Sequence, residues 1–256
     1  MCVYNGRRVS LSEFIRLKEM EKALRSLPTV PFDVDVQFGY DYGEWPIIKS
    51  TADKKDFEIV MAHWEFLPPV LPSADHHHYF RKQYDCVNAK SETLLTSSLF
   101  RNAARKGRCL VLSSHFYEYR HLPQYGKKGQ LLKATKKIPY RISLPGQPYF
   151  FMAGISQTTT DQESGEMADS FAIVTTEANS LMRQVHNSKL RMPTILPEDL
   201  AYEWVFGELM DDRIKELAGY QFPAEQMEAH PVSKEFRLGI NTAERFIYDD
   251  VPELVL

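Results

Sequence analysis

No run of apolar residues in this 256-residue chain is long enough to cross a bilayer, and no apolar stretch follows the early basic residues Arg7 and Arg8. We therefore expect neither a membrane span nor a secretory leader, and a cytoplasmic protein. Cysteine is scarce: Cys2, Cys86 and Cys109 are the three, and none sits in a CxxC pair. That count and spacing argue against a disulfide framework or a structural zinc site and predict reduced thiols. The 12 glycines form neither GxGxxG nor GxxxxGK followed by Ser or Thr, so a nucleotide-binding fold loses its main support. Positive charge is not in excess either. A formal net charge of -3 gives no general attraction to nucleic acid or anionic lipid, so such a partner must meet a local basic patch.

What is present is an ordinary globular composition, 43% hydrophobic and 25% charged, in a chain long enough to bury a full core. Ser10 and Glu13 have capping-box spacing, and the apolar residues behind them predict an amphipathic helix to about Leu27, ended by Pro28 and Pro31. PFDVDVQFGY alternates at period two, and DFEIVMAHWEFLP, RCLVLSSHFYEY, PYRISL, PYFFMAGIS and FAIVTTEA read as further strands, with DQESGE as a hairpin tip. LPSADHHHY is turn-rich and reads as a loop; its three histidines lack an acidic or cysteine partner at a metal-site spacing. SETLLTSSLFRNAARKG, PEDLAYEWVF and DDRIKELAG read as short helices. Strands joined by links too short for parallel crossovers predict an α+β fold: a mixed, largely antiparallel sheet or barrel with peripheral helices. It is expected to be a single domain over 1–256, with the motifs in 2–196 and short helices and a tail in 197–256.

The chemistry points first to Cys2. Once Met1 is removed, this residue alone presents an amine and a thiol on adjacent carbons, a pair that condenses with an aldehyde to a thiazolidine ring. Cys86 and Cys109 have amide nitrogens and cannot do so. Ring closure gains the orientation advantage of a tethered reactant. Position alone leaves open a small buried hydrophobe. Asn88 in VNAKSET stands where an amide caps a helix or orients a polar substrate. Glu118 lies among Phe116, Tyr117 and Tyr119; rings around it would raise its pKa toward that of a general acid, whereas an Arg120 partner would leave it ionised. His186, ahead of Arg191, Met192 and Pro193, titrates near neutrality and can pass protons.

Together, MC at the start, NAKSET, FYEY and the histidine before RMP resemble the SOS-response-associated peptidase (SRAP) family, whose members process abasic sites. HWEFLPP and FAIVTTEAN are similar to family segments as well, and the matches run in family order from residue 2 to about 196. The resemblance implies that Cys2, freed of Met1, forms a thiazolidine crosslink with the ring-opened sugar of an abasic site in single-stranded DNA. Asn88 would hold the sugar, Glu118 would exchange protons, and His186 would assist ring opening. No cofactor or metal is implied, and the chain is expected to act as a monomer. Candidate DNA contacts are Lys90, Arg191, Arg7, Arg8 and the Arg101, Arg105, Arg108 group, with Trp64 or Trp45 to stack on a base. The chain departs from the family at Val3 and Tyr4, where Gly-Arg is usual, at Lys90 for arginine, at Tyr119 for tryptophan, and in the five-residue step from His186 to Arg191. Two further readings use the same residues differently: an N-terminal cysteine hydrolase acting on amides, and a non-catalytic single-stranded DNA binding module.

Overall fold

The computed structural model describes residues 2–8, 33–54 and 56–255. The helix expected over 10–27 lies outside the described residues. Strands β1 (Tyr4–Arg8), β2 (Asp33–Phe38), β3 (Glu44–Ser50), β4 (Phe57–Trp64) and the short β5 (Val70–Leu71) lead to helix α1 (Ala74–Gln83). Next come β6 (Asn88–Lys90), α2 (Arg101–Lys106), β7 (Arg108–Ser113), β8 (His115–Tyr125), β9 (Leu131–Ser143), β10 (Phe150–Asp161) and β11 (Met167–Glu177). The chain continues with α3 (Ser180–Val185), β12 (Arg191–Pro193), β13 (Ile195–Leu196), α4 (Glu198–Phe206), α5 (Asp211–Ala218) and β14 (Glu228–Pro231). No helix among the described residues is long and apolar enough to cross a membrane.

Five strands close on themselves. β3 pairs with β4 and β7, β7 with β10, and β10 with β11, all antiparallel; β11 returns to β4 in parallel and completes a small barrel. Closure removes the exposed edges that an open sheet leaves. A second, antiparallel sheet has the order β14-β9-β8-β1-β2. The α+β reading with a mixed, mostly antiparallel barrel and peripheral helices is therefore what the chain adopts.

Period-two alternation sorts the barrel side chains into two cores. Ile47, Cys109, Val111 and Ile173 face one cluster that also contains Cys2 and, from the second sheet, Phe116, Ile138 and Ile142. Ile48, Leu110, Leu112, Ala172 and Val174 face another, covered by helices that include α4 and α5. Trp204 joins these layers: its indole N–H donates to the carbonyls of Cys109 and Gly154, both at 3.1 Å.

Two elements differ from expectation. The run RCLVLSSHFYEY, read as one strand, breaks at Ser114 into β7 and β8, which belong to different sheets. The HHH segment is not a loop but lies in α1, where the Ser73 hydroxyl accepts from the His76 N–H, Asp75 sits in the first turn, and Arg81 and Lys82 occupy the last. Those residues match the polarity of a helix dipole.

Candidate active site

Cys2 is fixed by the strand behind it. The Val3 carbonyl accepts from the Gly39 N–H at 2.8 Å, the Asn5 amide donates to Ser113 Oγ at 2.6 Å, and the Gly6 carbonyl accepts from the Ser114 N–H at 2.9 Å. A Cβ on Gly6 would lie 2.0 Å from His115 Nε2, so only glycine lets β1 approach β8 this closely. The Cys2 side chain is consequently buried, 1% exposed. Burial, and then the Glu118 carboxyl, push its thiol pKa well above the ordinary value. The other two cysteines are free and buried, with thiols pushed by burial up to about 12, which makes them poor nucleophiles.

Glu118 is also buried, and burial pushes its carboxyl up to about 8. The enclosure does not come from the tyrosines beside it in sequence. Alternation turns Tyr117 and Tyr119 to the other face, where they pack around Phe236. Glu118 instead lies opposite Tyr140 in the β8–β9 register and shares its side of the sheet with Phe116 and Ile142. Nor does Arg120 pair with it: that guanidinium donates to the Pro252 carbonyl and, at 3.3 Å, to Tyr140 Oη.

His186 completes the contact. Its Nδ1 lies 3.5 Å from Glu118 Oε1 and 2.9 Å from the Arg191 carbonyl. A carbonyl only accepts, so Nδ1 carries the hydrogen and Nε2 keeps its lone pair. Burial pulls the imidazole pKa down to about 4. With carboxyl and imidazole shifted in opposite directions, both are neutral at pH 7. They form an acid beside a base rather than an ion pair.

Asn88, 6% exposed on β6, caps no helix. Both amide atoms are buried and have no hydrogen-bond partner among the described residues, an arrangement expected of an atom awaiting a ligand. β6 runs parallel to β11, with Asn88 opposite Ile173 and Lys90 opposite Thr175. The long His186–Arg191 step closes as a turn: the Leu190 N–H donates to the His186 carbonyl at 2.8 Å, with Leu190 at φ 54°. Asn187, which sequence reading missed, clamps this turn to β8, accepting from the His121 N–H and donating to its carbonyl, each at 2.8 Å. An amide directly after a candidate histidine was the available signal.

The model of the SOS response associated peptidase (SRAP) family matches residues 20–237. The chain belongs to this family. It is 31% identical over 187 residues to the abasic site processing protein YoqW of Bacillus subtilis, covering 73% of this chain and 75% of that protein. It is 33% identical over 150 residues to the abasic site processing protein YedK of Escherichia coli, covering 58% of this chain and 60% of that one. A crystal structure of a protein from Bacteroides thetaiotaomicron superposes with a TM-score of 0.78 at 26% identity, covering 96% of this chain and all of that one.

Several expected DNA contacts of this SRAP chain are committed elsewhere. Trp64 and Trp45 are fully buried, with indole N–H groups donating to the carbonyls of Val87 (3.0 Å) and Leu112 (3.3 Å), so neither can stack on a base. Arg108 is buried and donates to the carbonyls of Trp204, Ala104, Arg105 and Gly207, tying α2 to the α4 end. Arg105 pairs with Asp211 across α2 and α5. Arg191 pairs with Glu92 and donates to Thr175 Oγ1 at 3.1 Å. Lys90 is exposed, while Arg7 and Arg8 lie on β1 with backbone partners Val34 and Asp33.

The histidines of α1 are not all solvated either. His77 Nε2 and His63 Nε2 lie 3.0 and 3.2 Å from Glu65 Oε2, and Arg81 donates to both oxygens of that carboxylate. The three metal-type side chains lie within 4.8 Å of one another, but Arg81 supplies the neutralising charge there.

Proposed function

We infer that the chain processes abasic sites in single-stranded DNA and joins itself to them through a thiazolidine on Cys2. The observation that carries this reading is a buried carboxyl held protonated beside a neutral imidazole, at the one residue able to offer amine and thiol together. Removal of Met1 converts the Cys2 nitrogen from an amide to an amine. His186 Nε2 accepts the C1′ hydroxyl proton and returns it to the ring oxygen as the C1′–O4′ bond breaks, so the aldehyde forms with the imidazole neutral again, and Asn88 holds the sugar oxygens. The amine adds to the aldehyde carbon to give a carbinolamine. Glu118 donates its proton to the departing hydroxyl, leaving an iminium, one water and a carboxylate. That carboxylate then takes the thiol proton as sulfur attacks the same carbon, and the nitrogen becomes a neutral amine. Glu118 ends protonated, ready for the next exchange.

The raised thiol pKa supports this order over amide hydrolysis, which starts from a thiolate. Here the thiol loses its proton late, to a base created one step earlier. Cys2→Ser separates the readings because it keeps the amine and loses the sulfur. It should give an abasic-DNA adduct only when borohydride is present, whereas the wild type gives a heat-stable one without it. A heat-stable adduct at wild-type yield from Cys2→Ser without borohydride would overturn the proposal.

A further inference from the structure

Charge is unevenly distributed along this chain. Between Glu118 and Asp161 there is no acidic residue, while Arg120, Lys127, Lys128, Lys133, Lys136, Lys137 and Arg141 all fall there. With 34 acidic residues in 256, a stretch of that length would ordinarily carry about five or six. The depletion spans one hairpin and the strand after it. β8 and β9, 11 and 13 residues long, are the arms of that hairpin, against a usual strand length of about 5–6. Glu118 lies near its base, and the tip after Tyr125 is seven residues farther on, about 23 Å away in extended chain.

Three of these cations are engaged: Lys136 pairs with Asp250, Arg120 donates to Pro252 and Tyr140, and Arg141 also has a partner. Lys127, Lys128, Lys133 and Lys137 are exposed, and among the described residues none has a carboxylate at ion-pair distance. Tyr125 at the tip is 66% exposed. Behind the hairpin, His121 and Lys137 face each other across the ladder and, with Tyr4, Tyr119, Lys234 and Arg237, border a groove of about 520 Å³ whose lining includes no carboxylate. Cations without partners beside exposed aromatic faces are the combination that tracks a single-stranded backbone and stacks its bases.

We propose that the β8–β9 hairpin is a polynucleotide arm, in which Lys127, Lys128, Lys133 and Lys137, with Tyr125 and the groove behind, hold the strand flanking the damaged sugar. The inference rests on the reading that the substrate is single-stranded DNA, and it explains how a chain of net negative charge keeps such a strand. The arm replaces Arg105 and Arg108, whose charges are bound to Asp211 and to backbone carbonyls.

The test is fluorescence anisotropy of a labelled, undamaged single-stranded oligonucleotide over a range of potassium chloride. Changing the four lysines to Gln should reduce the slope of log K against log salt by about 2–3 and weaken binding more than tenfold at about 0.1 M. A second variant with the same charge change elsewhere, Lys54, Lys82, Lys106 and Lys215 to Gln, should keep nearly the wild-type slope. An unchanged slope in the hairpin variant, or an equal loss in both, overturns the arm. A loss seen only with vesicles rich in phosphatidylserine, and not with the oligonucleotide, would assign the hairpin to a membrane and also overturn it. Crosslinking of wild-type protein to abasic oligonucleotide is read in parallel. Its absence despite the slope change overturns the functional reading and leaves the arm standing; its presence with no slope change overturns the arm alone.

Discussion

At Glu118, one carboxyl is asked to be an acid first and a base second, and burial is what makes the first role available at neutral pH. The same burial has a measurable cost. A folded-state pKa of about 8 against 4.5 means the folded protein binds more protons than the unfolded one between those values, so this group's contribution falls as pH rises. His186, lowered from 6.5 to about 4, acts oppositely, and its contribution rises with pH over that lower window. Above pH 6.5 the carboxyl acts alone. Glu118→Gln should therefore melt progressively higher relative to wild type as pH rises from about 6.5 to 8, while crosslinking falls by about 10²–10⁴-fold, the usual loss for a general acid-base group. Equal melting shifts across that range would contradict the assignment. For Asn88, whose amide has no partner among the described residues, Asn88→Leu should cost little stability and at least about tenfold in crosslinking rate; a large drop in melting temperature would instead reveal a structural amide. Cys2, Glu118 and His186 were legible because short motifs carried them. The source of the Glu118 shift was not, since it is burial on the face that Glu118 shares with Phe116 and Ile142, to which Tyr117 and Tyr119 do not point.

Elements show where pattern reading succeeds and where it stops. The sequence pattern put strands within 56–68, 108–119 and 171–178, and barrel strands lie in all three because each has one face on each of two cores, but it missed the break at Ser114 and the start of β11 at Met167. It could not see α1, a polar helix held less by an apolar face than by one buried carboxylate. Burial alone would push Glu65 up, but hydrogen bonds from His63, Arg81 and His77 outweigh it and hold the carboxyl at about 2. Its contribution to stability is thus full above pH 4.5 and lost as pH falls through about 2. Glu65→Ala strands three donors around a buried site and should destabilise by about 3–5 kcal/mol, with faster amide exchange in 74–83. Exchange unchanged in that helix would show that the cluster does not hold it. Trp204 was legible only as part of a helix; its hydrogen bonds to two barrel strands make Trp204→Ala an expected loss of about 3–5 kcal/mol in denaturant melts. Misplaced tryptophans have a physical explanation too. Trp64 and Trp45 sit at strand positions whose side chains turn inward, and sequence alone does not say which face of a barrel strand is inside.

Across the whole molecule, two sheets share one core, and the amino-terminal strand lies in the second of them, between β8 and β2. Its pairing with β8 carries Cys2 to the carboxyl on that strand and to the histidine that follows α3. Residues 2, 118 and 186, far apart in sequence, thus meet through sheet topology, and the long hairpin extends outward from the same strand. The central claim is that Cys2 reacts through nitrogen and sulfur at one sugar carbon, and intact mass measurement after denaturation tests it most directly. Protein lacking Met1, incubated with a single-stranded oligonucleotide bearing one abasic site, should give a product weighing protein plus DNA less one water, stable without reductant. A product of the same mass from protein that retains Met1, or one that survives only after borohydride, would contradict it.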